Sequence, residues 1–194
     1  MLIGILYEGD YDEKPLIAII VKIIQTDTQF SNVKINFALF PADGSIDGAI
    51  KQAVFLFHRI KKCDLCIFAS DTDNNIRRAR VKASAIKRLV KKFGDKINPN
   101  AKNVFAFPKP ELEQWFISEE NSIKHVLNLP FEKPLPFNEL KPKERLKKII
   151  DIYNKDITIT PKELYEKIAL DLDLSKLTND KSFKSFFEDL LRKI

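Results

Sequence analysis

The sequence predicts an α/β protein: a parallel sheet of about four strands flanked by helices, with a C-terminal helical extension. Three observations carry this expectation. Short apolar runs alternate with stretches whose apolar residues recur at helical spacing, and a strand–helix order repeated four times implies a parallel sheet with covering helices. Acidic residues stand immediately after several of these runs, at the carboxyl ends where such sheets place their sites. A proline-rich stretch containing Pro130, Pro134, Pro136 and Pro142 then gives way to helical patterns with no further strand. The expected division is residues 1–127 for the α/β unit and 128–194 for the connector and the helices packed on it.

The first strand is Leu2–Tyr7 and ends in Glu8-Gly9. Asp12 suits a helix cap, Pro15 suits a first helical turn, and Leu16–Ile24 is apolar nearly all round, the mark of a well-buried helix. Asp10, Asp12 and Glu13 have a bland explanation as caps that offset the helix dipole. Tyr7 and Tyr11 read as packing residues. Val33–Phe40 alternates and reads as the second strand. Ile50, Ala53, Val54, Phe57 and Ile60 then form a helical face, on which His58 is expected at the surface or boundary. The third strand, Leu65–Ser70, runs straight into Asp71-Thr72-Asp73.

The next helix places Ile76, Ala79, Ala83, Ile86, Val90 and Phe93 on an apolar side. Its other residues include Arg77, Arg78, Arg80, Lys82, Lys87, Arg88, Lys91 and Lys92, and no acid interrupts residues 74–94. A solvated helix gains from mixed signs at i, i+4, so either this is a bare basic surface or it contacts phosphates. Asn103–Phe107 is the fourth strand, and a helix is expected from Pro110 onward with Leu112, Trp115 and Phe116 inward. Glu111 and Glu113 lie about 200° apart on that helix, so at most one of them faces a site. Helices at about 142–153, 160–172 and 180–193 follow, the middle one opened by the capping box Thr160-Pro161-Lys162-Glu163. The apolar side of the last, with Phe183, Phe186, Phe187, Leu190 and Leu191, must cover the α/β body or a second protomer in a homodimer.

With 194 residues, 44% apolar and 31% charged, the chain can bury a real core. No apolar run approaches the ~20 residues of a bilayer span, no signal peptide precedes the first strand, and a cytoplasmic location is the expectation. The net charge of +6 favours a polyanionic partner without establishing one. Cys63 and Cys66 lack the second pair that a structural zinc site needs, and positions three apart on a strand point to opposite faces, so one buried and one half-buried thiol are expected.

Glu8, Asp71 and Asp73 would converge at one sheet edge if their strands are neighbours. Converging carboxylates repel unless a cation sits between them, and an oxygen-only set suits Mg²⁺ or Mn²⁺. Glu8-Gly9 with Asp12, followed by an apolar strand and Asp71-x-Asp73, resembles the TOPRIM domain over about residues 1–110. Pro110-Glu111-Leu112-Glu113-Gln114-Trp115 and Ser182-Phe183-Lys184-Ser185-Phe186 are similar to a narrower group, the small stand-alone TOPRIM-like proteins related to OLD-family nucleases and suspected in mobile-element or phage defence.

The resemblance implies a TOPRIM-like Rossmannoid sheet, Glu8 as general acid/base or metal ligand, and Asp71 and Asp73 as Mg²⁺ ligands. It also implies Asp12 as a helper in metal binding, Glu111 or Glu113 as completing a second metal site, and Lys109 as stabilising developing phosphate charge. The tyrosine-bearing domain of topoisomerases, the zinc module of primases and the phosphate loop of the OLD ATPase region have no counterpart in the 194 residues. The resulting expectation is a Mg²⁺-dependent nuclease acting on nucleic acid, DNA first, with a separate ATPase chain as a candidate partner and no membrane. A non-catalytic metal- and nucleic-acid-binding module is the alternative. A haloacid-dehalogenase-type phosphatase ranks third, because its nucleophile follows the first strand, where this chain has Glu8-Gly9.

Overall fold

The computed structural model describes residues 1–9, 12–30, 32–42, 46–72, 76–154 and 158–194, without the side chains of Ile76 and Arg78. Asp10, Tyr11 and Asp73 lie outside the described residues. Four strands form one all-parallel sheet: β1 (Leu2–Tyr7), β2 (Asn36–Pro41), β3 (Leu65–Ala69) and β4 (Asn103–Ala106), in the order β2-β1-β3-β4. β1 and β3 are therefore central neighbours, with Ile3 opposite Leu65 and Leu6 opposite Phe68. β2 begins later than the alternation suggests and ends on Pro41, which the edge position tolerates because no outer strand needs its missing N–H.

The two faces of the sheet carry different helices. Ile3, Ile5, Leu65, Ile67, Val104 and Ala106 point into the larger core. That core is covered by α1 (Glu13–Thr26), α4 (Glu113–Ser118), α5 (Glu120–Val126), α6 (Pro142–Tyr153), α7 (Pro161–Asp171), α8 (Leu174–Leu177) and α9 (Lys181–Lys193). Leu6, Ala38, Cys66 and Phe68 point to the opposite face, covered by α2 (Ile46–Val54) and α3 (Ile76–Gly94). The helices after the connector thus share the sheet's core. Trp115 fastens them: its ring meets Phe183 edge-on at 5.2 Å and stacks on Phe186 at 5.6 Å, while its Nε1 donates to Ser182 Oγ at 2.9 Å. The apolar side of α9 is occupied within the chain.

Two local expectations are corrected. α2 runs on into a π-helical turn, Phe55–Ile60, whose wider winding shifts the side-chain register. Phe57 is buried as expected, but His58 is buried too, and Ile60, expected on the apolar face, is 57% exposed. His58 is only 5% exposed; its Nε2 lies 3.1 Å from Asn103 Oδ1, and burial pulls its pKa down, so the ring is a neutral core group. α4 starts at Glu113 rather than Pro110, because the carbonyls of Pro108 and Pro110 accept hydrogen bonds from Thr72. Cys66 is buried and Cys63 half-buried. Among the described residues no helix is long and apolar enough to cross a membrane.

Gly4 shows how tightly β1 meets α2's continuation. A Cβ there would lie 2.5 Å from Phe57 Cγ and within 2.8 Å of both Cδ atoms. Gly4→Ala is expected to cost about 1–3 kcal/mol through overpacking, measured by urea unfolding, and Phe57→Leu in the same chain should recover part of it. A Gly4→Ala protein as stable as the parent would mean that Phe57 has room to move.

Candidate metal and phosphate site

The parallel pairing of β1 and β3 brings Glu8 and Ser70-Asp71 side by side at the carboxyl edge. Ser70 Oγ donates to Glu8 Oε1 at 2.8 Å and lies 3.2 Å from the Asp71 carbonyl oxygen. Lys82 reaches in from α3, with Nζ 3.2 Å from Glu8 Oε2 and 2.6 Å from the Asp71 carbonyl. Asp71 Oδ1 accepts from the Leu112 backbone N–H at 3.2 Å. The segment after β4 is tied down by Thr72, whose N–H donates to Pro110 O at 2.8 Å and whose Oγ1 donates to Pro108 O at 2.7 Å. Those bonds hold the start of α4, and with it Glu113, against the site.

The turn after β1 supplies another carboxylate. Gly9 N–H donates to Asp12 Oδ2 at 2.9 Å, and a Cβ on Gly9 would sit 2.9 Å from that same oxygen, so a larger residue there would push the Asp12 carboxylate aside. Asp12 occupies the N-cap position of α1, but its side chain makes no cap hydrogen bond to that helix. It faces the other acids instead.

The electrostatics record this grouping. Burial, then the charges of Asp71 and Glu113, push the Asp12 pKa up to about 7. Burial, then Glu8, raise Asp71 to about 6 against the opposing Leu112 hydrogen bond. Glu113, only 2% exposed, is raised to about 7, chiefly by burial, with Glu111 and Asp71 adding to it. Lys143, near the start of α6, offsets part of this at all three. Glu111 stands further out, its Oε1 accepting from the Lys143 backbone N–H at 2.6 Å. Of Glu111 and Glu113, Glu113 is the buried one that turns in.

The site thus assembles Glu8, Asp12, Asp71 and Glu113, with Glu111 at its margin, from elements far apart in sequence. An oxygen-only donor set whose members are driven toward protonation suits a hard divalent cation, which would restore them to carboxylates. The side chains are not drawn into one coordination shell: among the described residues no three Asp, Glu, His or Cys side chains form a group able to hold an ion. Asp73, the remaining expected ligand, lies outside the described residues.

The remaining expected residues lie around this edge. Lys109 is exposed and lines a cleft between α3, β4 and α9. Arg77, Arg80, Lys87 and Arg88 are exposed on α3, and the Arg78 side chain is not described. Lys82 leaves the basic face to bind Glu8. Sequence reasoning placed it with the phosphate-contacting residues, although its spacing holds the clue: about 200° round the helix from Arg80, it falls on the side of Ile86 and Phe93. Ser70 and Lys143 were not anticipated. Ser70 reads as the last residue of a strand, and Lys143 lies beyond the connector with no local pattern tying it to the sheet. No family model, curated protein or solved structure matches the chain.

The raised carboxyl groups give a pH dependence with a definite sign. In metal-free protein, Asp12, Asp71 and Glu113 hold protons in the folded state that the unfolded chain has already released between about pH 4 and 7. Stability therefore falls as pH rises through this window, by a few kcal/mol in order of magnitude. Urea unfolding in EDTA from pH 4 to 8 checks this. Asp12→Asn with Glu113→Gln should flatten the fall, whereas an unchanged profile would mean that these groups titrate normally.

Proposed function

We propose that the protein is a Mg²⁺- or Mn²⁺-dependent nucleic-acid phosphodiesterase, a nuclease of the TOPRIM-like kind. The observation that carries this reading is the convergence of Glu8, Asp12, Asp71 and Glu113, with three pKa values displaced upward, at the carboxyl edge of a parallel sheet beside a basic helix. Perturbed, mutually coupled acids in such a place are what phosphate-transfer sites require.

Glu8, Asp71 and Asp73 are the ligands of choice, with Asp12 and Glu113 completing the set. A divalent ion held there would polarise the scissile phosphate and lower the pKa of an attacking water. The chain's own contribution is positional. Ser70 orients Glu8, the Leu112 amide orients Asp71, and Lys82 keeps a fixed positive charge beside Glu8. With a raised pKa, Asp12 or Glu113 is suited to exchange a proton near neutrality. The exposed cations of α3 bind phosphates without reading bases.

One observation favours a second reading, a non-catalytic metal- and nucleic-acid-binding module. Lys82 already neutralises Glu8, and the described acids do not close into one shell. Asp71→Asn separates the two. It removes one anionic oxygen and keeps the Oδ1 that accepts from Leu112. Mg²⁺- or Mn²⁺-dependent nicking of plasmid or oligonucleotide should fall by about 10²-fold or more, while DNA binding in EDTA is retained or tightened. A parent protein that cleaves under no divalent ion supports the binding module. Equal cleavage by parent and variant would remove Asp71 from the chemistry.

A further inference from the structure

A cleft of about 920 Å³ opens between α3, β4 and α9, and none of Glu8, Asp12, Asp71 and Glu113 lines it. Its charge is one-sided. Six cations line it, Arg80, Lys87, Lys109, Lys181, Arg192 and Lys193, against Glu188 and Asp189. Both acids are engaged: Asp189 pairs with Arg192 at 2.5 Å and Lys193 at 3.1 Å, and Glu188 lies 3.8 Å from Lys184. Arg80, Lys87, Lys109 and Lys181 make no ion pair among the described residues.

The floor is aromatic. Phe68, Phe105 and Phe107 form a stacked ladder, with centroids 5.9 and 5.7 Å apart and ring planes inclined by 29° and 24°. Phe105 and Phe107 are half-buried, and Lys87 Nζ lies 5.4 and 5.9 Å from their centroids. Ala79, Ala83, Ser84, Ser182 and Ser185 keep the walls low enough for a backbone to approach. The strap from Phe107 to Pro110 joins this floor to the acid edge through its two hydrogen bonds to Thr72, the residue after Asp71.

We propose that this cleft binds a single strand of nucleic acid, with phosphates on Arg80, Lys87, Lys109 and Lys181 and a base stacked at the Phe105–Phe107 ladder, and that it leads that strand to the carboxylate edge. Its volume lies within the ~300–1,000 Å³ of ordinary ligand pockets. Cations tracking a backbone beside partly exposed aromatic rings are the two parts of a single-strand site, and stacking tolerates any base because every base has a π-face. In a duplex the bases are already stacked on one another, so the rings would have no role. The binding stands by itself; only the fate of the strand at the acids rests on the nuclease reading.

The test is fluorescence anisotropy of the full chain in EDTA, with labelled oligo(dT), oligo(rU) and a duplex, each about 12 nucleotides long, over a range of salt. Either single strand should bind at least about 10-fold tighter than the duplex, and the comparison of dT with rU identifies the preferred sugar. Phe107→Ala should weaken single-strand binding by about 5- to 150-fold, while Phe107→Tyr, which keeps the ring, should retain it. Lys109→Ala with Lys181→Ala, both on the surface, should flatten the dependence of log K on log salt by about 0.7 per lost phosphate contact. Duplex bound as tightly as single strand overturns the proposal. So does parental affinity in Phe107→Ala or, should that variant misfold, a parental salt slope in the double lysine variant. Single-strand binding without cleavage under any divalent ion would sink the nuclease reading and leave the cleft standing. Cleavage by a parent whose cleft variants bind normally would do the reverse.

Discussion

Four buried or half-buried carboxylates held at one sheet edge are the constraint around which the rest of this structure is arranged. Like charges out of water repel strongly, since neither solvent nor salt screens them well. The fold keeps them there through hydrogen bonds: the backbone N–H groups of Gly9 and Leu112 donate to Asp12 and Asp71, and the Ser70 hydroxyl donates to Glu8. It then lessens the repulsion in two ways. Lys82 and Lys143 bring positive charge from opposite sides of the chain, and the raised pKa values let Asp12, Asp71 and Glu113 take up protons near neutrality. Such an arrangement is unfavourable for stability alone, which is why it points to a ligand or a reaction rather than to packing.

The fold was legible because its determinants are local. Buried parallel strands are covered on both faces, so they appear as short apolar runs, and β1, β3 and β4 were recognisable for that reason. The bounds of α6, α7 and α9 were legible from proline, the Thr160 capping box and the Phe183-to-Leu191 periodicity. The π-helical turn at Phe55–Ile60 was not, because any reading by a 3.6-residue period assumes the winding that this turn abandons. His58, expected at the surface or boundary, is buried there, and Ile60, expected on the apolar face, is exposed.

The site was legible only where it follows from topology. Glu8 and Asp71 each come just after a strand, and parallel pairing alone brings strand ends together. Which of Glu111 and Glu113 turns in was set by where α4 begins, and that depends on Thr72 holding the Pro108–Pro110 carbonyls. The counter-charges were hidden for a different reason. Lys143 comes from a helix beyond the connector, and only tertiary packing puts it near Asp12. Lys82 sits in a run of cations that reads as one surface, although its angular position sets it apart.

That separation on α3 joins the two halves of the functional argument. Arg80, Ser84 and Lys87 lie on one side of the helix and line the aromatic cleft. Lys82, on the other side, is bonded to Glu8 and to the Asp71 carbonyl. A single rigid helix therefore fixes the distance between the surface that would hold a phosphate backbone and the carboxylates that would act on it. Loop-borne cations could bind a strand as tightly, but their motion would spread the phosphate over many positions relative to Asp71. Catalysis at a phosphodiester depends on placing the reacting atoms within a fraction of an ångström, and it is the placement of both groups on α3, more than the number of positive charges, that gives the basic helix its meaning.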